Sequence, residues 1–127
     1  MGTWLSDYNN LVLEMTRDSE VARIVRLGLT DFEVLDANDQ MRCHAWLITH
    51  LLSAQNLYFQ AEDDTMHQAF AEQVLGFTAS MLKTKGGLQW WTTARPIWRP
   101  EFVTHMDGLM QGAQPVTDTW PFFNDAN

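Results

Sequence analysis

Four histidines and sixteen aspartates and glutamates are the side chains of this sequence that could bind a metal or transfer a proton. Asp64 and His67 are three residues apart, so on a helix they share one face, as in half of a di-iron carboxylate site. A complete site needs a second such motif, and only Glu72, Glu101 and His105 could contribute to it. His105 follows Glu101 by four residues instead of three. We therefore interpret Asp64 as a helix cap and His67 as an exposed first-turn residue, and predict no metal and no cofactor.

A cysteine nucleophile needs a base within hydrogen-bonding distance of its sulfur. Cys43 is the only cysteine, and His44 follows it directly, so on a helix the two side chains point about 100° apart. His50 lies six residues after His44, also off its face, and no serine or aspartate is placed to complete a triad. We predict packed or surface side chains at these positions and no catalytic residue.

Aromatic residues are concentrated near the C-terminal helices, at Trp90, Trp91, Trp98 and Phe102. Two prolines prevent this segment from forming one continuous helix. Aromatic side chains at this density usually pack in a core, and we interpret the cluster as core with a hydrophobic lid. The alternative is a pocket for an apolar ligand or a partner helix, and these four residues are then the predicted ligand-binding residues.

The composition excludes two classes of protein. The formal net charge of −8 gives a surface that repels phosphate backbones, so nucleic-acid binding is not expected. No apolar run approaches the roughly 20 residues that cross a bilayer. A single cysteine cannot form an internal disulfide and suits a reducing compartment. We predict a soluble, cytoplasmic protein with no membrane span in this chain.

The hydrophobic pattern predicts helices and no strand. The predicted helices span residues 4–17, 18–30, 38–61, 65–84, about 87–94 and 100–112. Apolar residues cover much of the circumference of the 38–61 helix, which is therefore predicted to be central. Its predicted inward stripe is Met41, Ala45, Ile48, Leu52 and Phe59. The stripe predicted for the 65–84 helix is Met66, Phe70, Val74, Phe77 and Met81, and Gly86 and Gly87 are predicted to end that helix.

These elements predict an all-α fold, an antiparallel bundle of about five to six helices. Residues 1–112 form the predicted bundle domain, and residues 113–127 an irregular C-terminal tail. The tail carries Trp120, Phe122 and Phe123, which are too apolar for a solvated end. We therefore expect the tail to dock on the bundle or on a partner.

Five short motifs, taken in order, resemble those of a family of uncharacterised bacterial proteins. The motifs are a Gly-Leu helix end at 22–29, a charged helix start at 39–43, an Asn-, Tyr- and Gln-rich stretch at 55–60, a Gly-x-x-Trp-Trp element at 87–91 and a Pro-Glu-Phe helix start at 99–102. The resemblance covers roughly residues 8–110. It implies a helical domain of this size, commonly found behind one N-terminal transmembrane helix. It implies no activity, because the family has no established catalytic residues.

Three functional hypotheses follow from these observations. The first is a non-enzymatic interaction or accessory domain that acts through helix-face contacts, with a second copy or another protein as its partner. The second is a ligand-binding or sensory domain with an aromatic-lined apolar pocket, which in membrane-anchored relatives would lie at the inner face of the membrane. A metal-dependent enzyme is the remote third. We expect no enzymatic activity.

Overall fold

The computed structural model describes residues 19–62 and 65–123, without the side chains of residues 65–67 and Pro121. The helix predicted at 4–17 and the capping residue predicted at Asp64 lie outside the described residues. The described residues form helices and no strand, which confirms the all-α fold. None of these helices is both long enough and apolar enough to span a membrane.

Six α-helices follow one another along the described chain. They are α1 (Ser19–Thr30), α2 (Ala37–Gln60), α3 (Thr65–Leu82), α4 (Lys85–Ala94), α5 (Pro100–Gly112) and α6 (Val116–Thr119). Short 3₁₀ turns lie at Phe32–Val34, Arg95–Ile97 and Pro121–Phe123. The predicted boundaries of α2 and α5 are therefore correct to within one residue.

Local chemistry explains where α2, α4 and α5 begin. The carboxylate of Asp36 accepts a hydrogen bond from the backbone N–H of Asp39 at 2.8 Å, which fixes the first turn of α2. Thr84 caps α4 in the same way, because its Oγ1 accepts a hydrogen bond from the N–H of Gly87 at 2.9 Å. Pro100 occupies the first turn of α5, where its fixed φ favours a helix and no N–H is needed.

Replacing Thr84 with alanine is expected to destabilise the protein by about 1–2 kcal/mol. Thr84 is 2% exposed, and its hydroxyl also donates to the carbonyl of Met81 at 2.8 Å. Thr92→Ala is the matched control, since Thr92 is exposed and its hydroxyl only bonds the carbonyl of Leu88 within α4. Its stability should stay within about 0.5 kcal/mol of the wild type in urea unfolding. Equal losses in the two variants would contradict the capping role.

Helix α3 holds the centre of the described bundle. It packs against α2, α4, α5 and α6, whereas α2 packs closely against α1 and α3. His50, at the middle of α2, contacts Thr78 in the second half of α3. The C-terminal end of α2 lies against the first half of α3, so these two helices are antiparallel. Helix α3 thus takes the central position that the sequence analysis assigned to the 38–61 helix.

The stripe predicted to face inward on α2 is wrong. Met41 is 71% exposed and Leu52 is 46% exposed. The buried residues of α2 are Cys43, Trp46, Leu47, His50, Leu51, Ser53, Ala54 and Leu57. Large apolar residues lie all around this helix, so the positions of the neighbouring helices decide which of its side chains are buried. The buried side chains include polar and small ones.

Helix α3 is rotated from its predicted orientation by about one position. Phe70 is 40% exposed, although Met81, the last residue of the predicted stripe, is fully buried. The buried residues on the core side are Ala71, Leu75, Thr78, Ala79 and Leu82. Small side chains at 71 and 79 permit close packing of the neighbouring helices, which explains why the core face is less hydrophobic than the pattern suggested.

Gly86 and Gly87 were predicted to end α3, and this prediction is wrong. They lie in the first turn of α4. A Cβ atom at Gly86 would overlap the carbonyl oxygen of Gly28 in α1. A Cβ atom at Gly28 would in turn overlap the sulfur of Cys43 in α2. None of the described glycines has a positive φ. Gly86 is therefore required by the close approach of α4 to α1, and Gly28 by the close approach of α1 to α2, and neither by backbone conformation.

The C-terminal tail docks on the bundle, as expected. Val116 is fully buried, and the ring of Phe123 lies 6.0 Å from the ring of Phe77 in α3. Within the described part the tail is not irregular, because it forms α6 and a 3₁₀ turn. Trp120 and Phe122 are 49% and 65% exposed. The tail therefore contributes to the core and also exposes two aromatic rings.

Candidate functional site

The four residues predicted to bind a ligand are all part of the core. Trp90, Trp91, Trp98 and Phe102 are each at most 5% exposed. The rings of Trp98 and Phe102 meet edge to face with centroids 6.4 Å apart. This placement agrees with the core interpretation of the cluster, while ligand binding there stays a prediction.

Two of these tryptophans are also held by polar contacts. The indole N–H of Trp90 donates to Nδ1 of His44 at 2.9 Å, and that of Trp91 donates to Oδ1 of Asp107 at 2.9 Å. Arg95 pairs with the same carboxylate at 2.6 Å. These bonds tie α4 to α2 and α5, so a ligand that displaced either ring would break a hydrogen bond between helices.

A cleft of about 200 Å³ lies between the C-terminal end of α2, the first half of α3 and the middle of α5. Its described lining residues are Tyr58, Ala61, Glu62, Gln68, Ala71, Glu72, Leu75 and His105. The four residues from α3 are spaced three, one and three apart, so they share one face of that helix. The cleft is thus built by three helices that meet side by side.

The floor of the cleft is apolar and one wall is aromatic. Ala61, Ala71 and Leu75 are each at most 4% exposed and form the floor. The rings of Tyr58 and His105 lie 4.7 Å apart and form the wall. Behind this wall Tyr58 meets the ring of Phe102 at 5.9 Å. Phe102 therefore supports the cleft from the core, although it does not line it.

The rim of the cleft is acidic. Glu62 and Glu72 are both exposed, and no lysine or arginine occurs among the described lining residues. Burial lowers the pKa of His105, so its imidazole is neutral at neutral pH and does not offset the carboxylates. The side-chain amide of Gln68 donates to the backbone carbonyl of Glu62 at 2.8 Å and fixes the turn after α2. The opening therefore combines negative charge with an apolar floor.

Cys43 and His50 are packed in the core and do not form a reactive pair. Burial raises the pKa of the Cys43 thiol to about 12, so the thiol is protonated at neutral pH. The Nε2 atom of His50 lies 2.9 Å from the hydroxyl of Thr78, which donates its own proton to the carbonyl of Val74. The imidazole and the Thr78 hydroxyl therefore form a buried polar contact between α2 and α3.

The residues weighed for a metal site are only partly brought together. Glu72 and His105 both line the cleft, whereas Glu101 does not. Asp64 and the side chain of His67 lie outside the described residues. Across the described ranges no three histidine, cysteine or acidic side chains are grouped so that they could hold a metal ion.

Comparison with known proteins gives no match to a family model, to a curated protein or to a solved structure. The family resemblance drawn from the five sequence motifs therefore stays a prediction.

Proposed function

We propose that this chain is a non-enzymatic interaction domain, and that it binds a partner through the helix faces around the α2–α3–α5 cleft. The cleft is the observation that carries this proposal, because it joins a buried apolar floor to an aromatic wall and a charged rim. These are the properties of a site that anchors a single side chain at a protein interface. The core positions of Cys43 and His50 support a role without catalysis.

The volume of the cleft favours an interaction domain over a ligand-binding domain. Sites for drug-sized ligands usually have volumes of about 300–1,000 Å³. The cleft has about 200 Å³, which suits one partner side chain. The alternative site at Trp90, Trp91, Trp98 and Phe102 has less support, because these side chains fill the core.

The cleft can be tested with short capped alanine peptides that carry one long, unbranched side chain, either lysine or norleucine. Addition to ¹⁵N-labelled protein is expected to shift the amide signals of Ala71, Leu75 and His105. Ala71→Leu should fill the cleft and abolish the shifts, whereas Ala45→Leu, at an exposed position of α2, should not. Absence of any shift at the cleft with both peptides would overturn the proposed function.

A second copy of the chain is the partner that we propose for the tail. Trp120 and Phe122 expose two rings whose centroids are 5.8 Å apart. An exposed apolar pair on one face can bury itself against the same pair of another copy around a two-fold axis. This would make the protein a homodimer, with the cleft available for a different partner.

Sedimentation velocity over a range of concentrations tests the homodimer. The wild type is expected to shift from monomer to dimer as concentration rises. A variant with Trp120→Ser and Phe122→Ser is expected to stay monomeric, because it lacks the apolar pair. Ile97→Ser is the control, since Ile97 is 58% exposed and lies outside the tail. A wild type that is monomeric at every concentration would contradict self-association.

We further propose a cytoplasmic location. The single cysteine, whose buried thiol forms no disulfide within the chain, supports a reducing compartment. For a chain that follows a membrane anchor, as the family resemblance implies, the corresponding location is the inner face of the membrane.

A further inference from the structure

We infer that the side chain anchored in the α2–α3–α5 cleft is a lysine, presented by a basic segment of a partner protein. This inference rests on the proposed function and names the chemistry that the cleft recognises. Three features of the cleft support it, which are the apolar depth, the charged rim and the aromatic wall.

The depth of the cleft matches the stem of a lysine side chain. Ala61, Ala71 and Leu75 provide a buried floor without charged groups. The stem of lysine consists of four methylene groups, which gain free energy when they leave water for such a floor. A short polar side chain such as serine or aspartate would leave the floor unfilled.

The rim of the cleft matches the ammonium group at the end of that stem. Glu62 and Glu72 are exposed at the opening, where an ammonium group stays partly hydrated while it approaches both carboxylates. A norleucine side chain has the same four carbons without the ammonium group, so it would fill the floor equally well but would gain nothing from the rim. The net charge of −8 also raises the rate at which a basic segment reaches the surface.

The aromatic wall favours a cation and does not repel it. The ring of Tyr58 lines the cleft, and an aromatic ring attracts an ammonium group that approaches its face. Burial keeps His105 neutral at neutral pH by lowering its pKa, so it places no positive charge beside the lysine. An acidic partner side chain would face two carboxylates and no described cation on the lining.

The test compares the capped lysine and norleucine peptides by NMR titration of the intact chain. We expect the lysine peptide to bind about fivefold more tightly, since two exposed carboxylates each contribute modestly. A variant with Glu62→Gln and Glu72→Gln should bind both peptides equally. A variant with Glu33→Gln and Asp118→Asn loses the same charge at exposed positions that do not line the cleft, and should keep the preference. Added salt should weaken the lysine peptide selectively.

The outcomes separate this inference from the function on which it rests. Equal or tighter binding of norleucine at the cleft would overturn the lysine assignment while leaving the interaction site in place. If both double variants lost the preference for the lysine peptide equally, the preference would arise from net charge. This result would also overturn the assignment of lysine. No shift at the cleft with either peptide would overturn the proposed function itself.

Discussion

Gly86→Ala is expected to destabilise the protein by about 3 kcal/mol, whereas Gly76→Ala is expected to stabilise it by up to about 1 kcal/mol. The two variants add the same methyl group to a helix. They differ in what that group meets. A Cβ atom at Gly86 overlaps the carbonyl oxygen of Gly28 and approaches the carbonyl carbon of Leu29 to 2.8 Å, whereas one at Gly76 meets nothing within 4 Å.

The large cost at Gly86 arises because the obstructing atoms belong to the backbone. A side chain can rotate away from an added methyl group, but a helix backbone must move as a body. Helix α1 would have to move away from α4, and this would strain the contacts of Asp31 with Lys85 at 2.8 Å and with Gln89 at 3.0 Å. A loss of about 3 kcal/mol is a large part of the stability of a typical small domain.

Gly28→Ala provides an intermediate case at the neighbouring contact between α1 and α2. The added methyl group would overlap the sulfur of Cys43, which is a side-chain atom and can shift by a change of rotamer. We expect a loss smaller than that of Gly86→Ala. Urea unfolding followed by circular dichroism gives the order of the three variants. A Gly86→Ala variant as stable as the wild type would mean that α1 and α4 are not in close contact.

The same glycines show what could be read from the sequence and what could not. The start of α2 depends on the Asp36 cap and that of α5 on a proline in the first turn, both of which are local, and the sequence places both starts to within one residue. The role of Gly86 depends on Gly28, 58 residues earlier, so no local pattern distinguishes close packing from a helix end. Two adjacent glycines after a lysine are typical of a C-terminal cap, and that prediction was wrong.

The buried face predicted for α2 is wrong, and that predicted for α3 is shifted by about one position, for a related reason. A hydrophobic stripe identifies the core side of a helix only where one side is clearly less apolar than the other. In α3 the large residue Phe70 is partly exposed while its neighbour Ala71 is buried. Helices that pack closely bury small residues, and these have little weight in a hydrophobic pattern.

The cleft required the structure because three helices build it. Sequence analysis selected Glu72 and His105 as candidates for a metal site, and both line the cleft. No site role was predicted for Tyr58 or Gln68. The one available signal was the mixed face of α3, where polar Gln68 and Glu72 alternate with Ala71 and Leu75. Their neighbours from α2 and α5 could be identified only from the fold.

Acidification is expected to cost the protein about 2 kcal/mol of stability between about pH 7 and about pH 5, through His50 alone. Burial lowers the pKa of this imidazole from 6.5 to about 4 in the folded state. The ring is 3% exposed and stacks on Trp46 with centroids 5.3 Å apart. In the folded state a protonated imidazole would hold its positive charge between α2 and α3, away from water. In the unfolded chain the same charge is hydrated.

The sign of the effect follows from the two pKa values. Between pH 6.5 and about 4 the unfolded chain binds more protons at His50 than the folded chain, so stability rises with pH. The contribution is complete above pH 6.5 and is lost as the pH falls towards 4, a total of about 3 kcal/mol. Burial also lowers the pKa of His105, so it adds to the loss in the same direction. The lowered pKa values of Glu20 and Asp31 act at more acidic pH.

His50→Gln isolates this contribution because glutamine can donate to Thr78 but does not titrate. The free energy of unfolding in urea, measured at several pH values between about 7 and 5, should fall less steeply for this variant than for the wild type. The slope is the decisive quantity, since loss of the stack on Trp46 lowers stability at every pH. His105→Gln should remove a smaller part of the slope, because His105 is only partly buried. Equal slopes for His50→Gln and the wild type would show that His50 takes up protons alike in the folded and unfolded states.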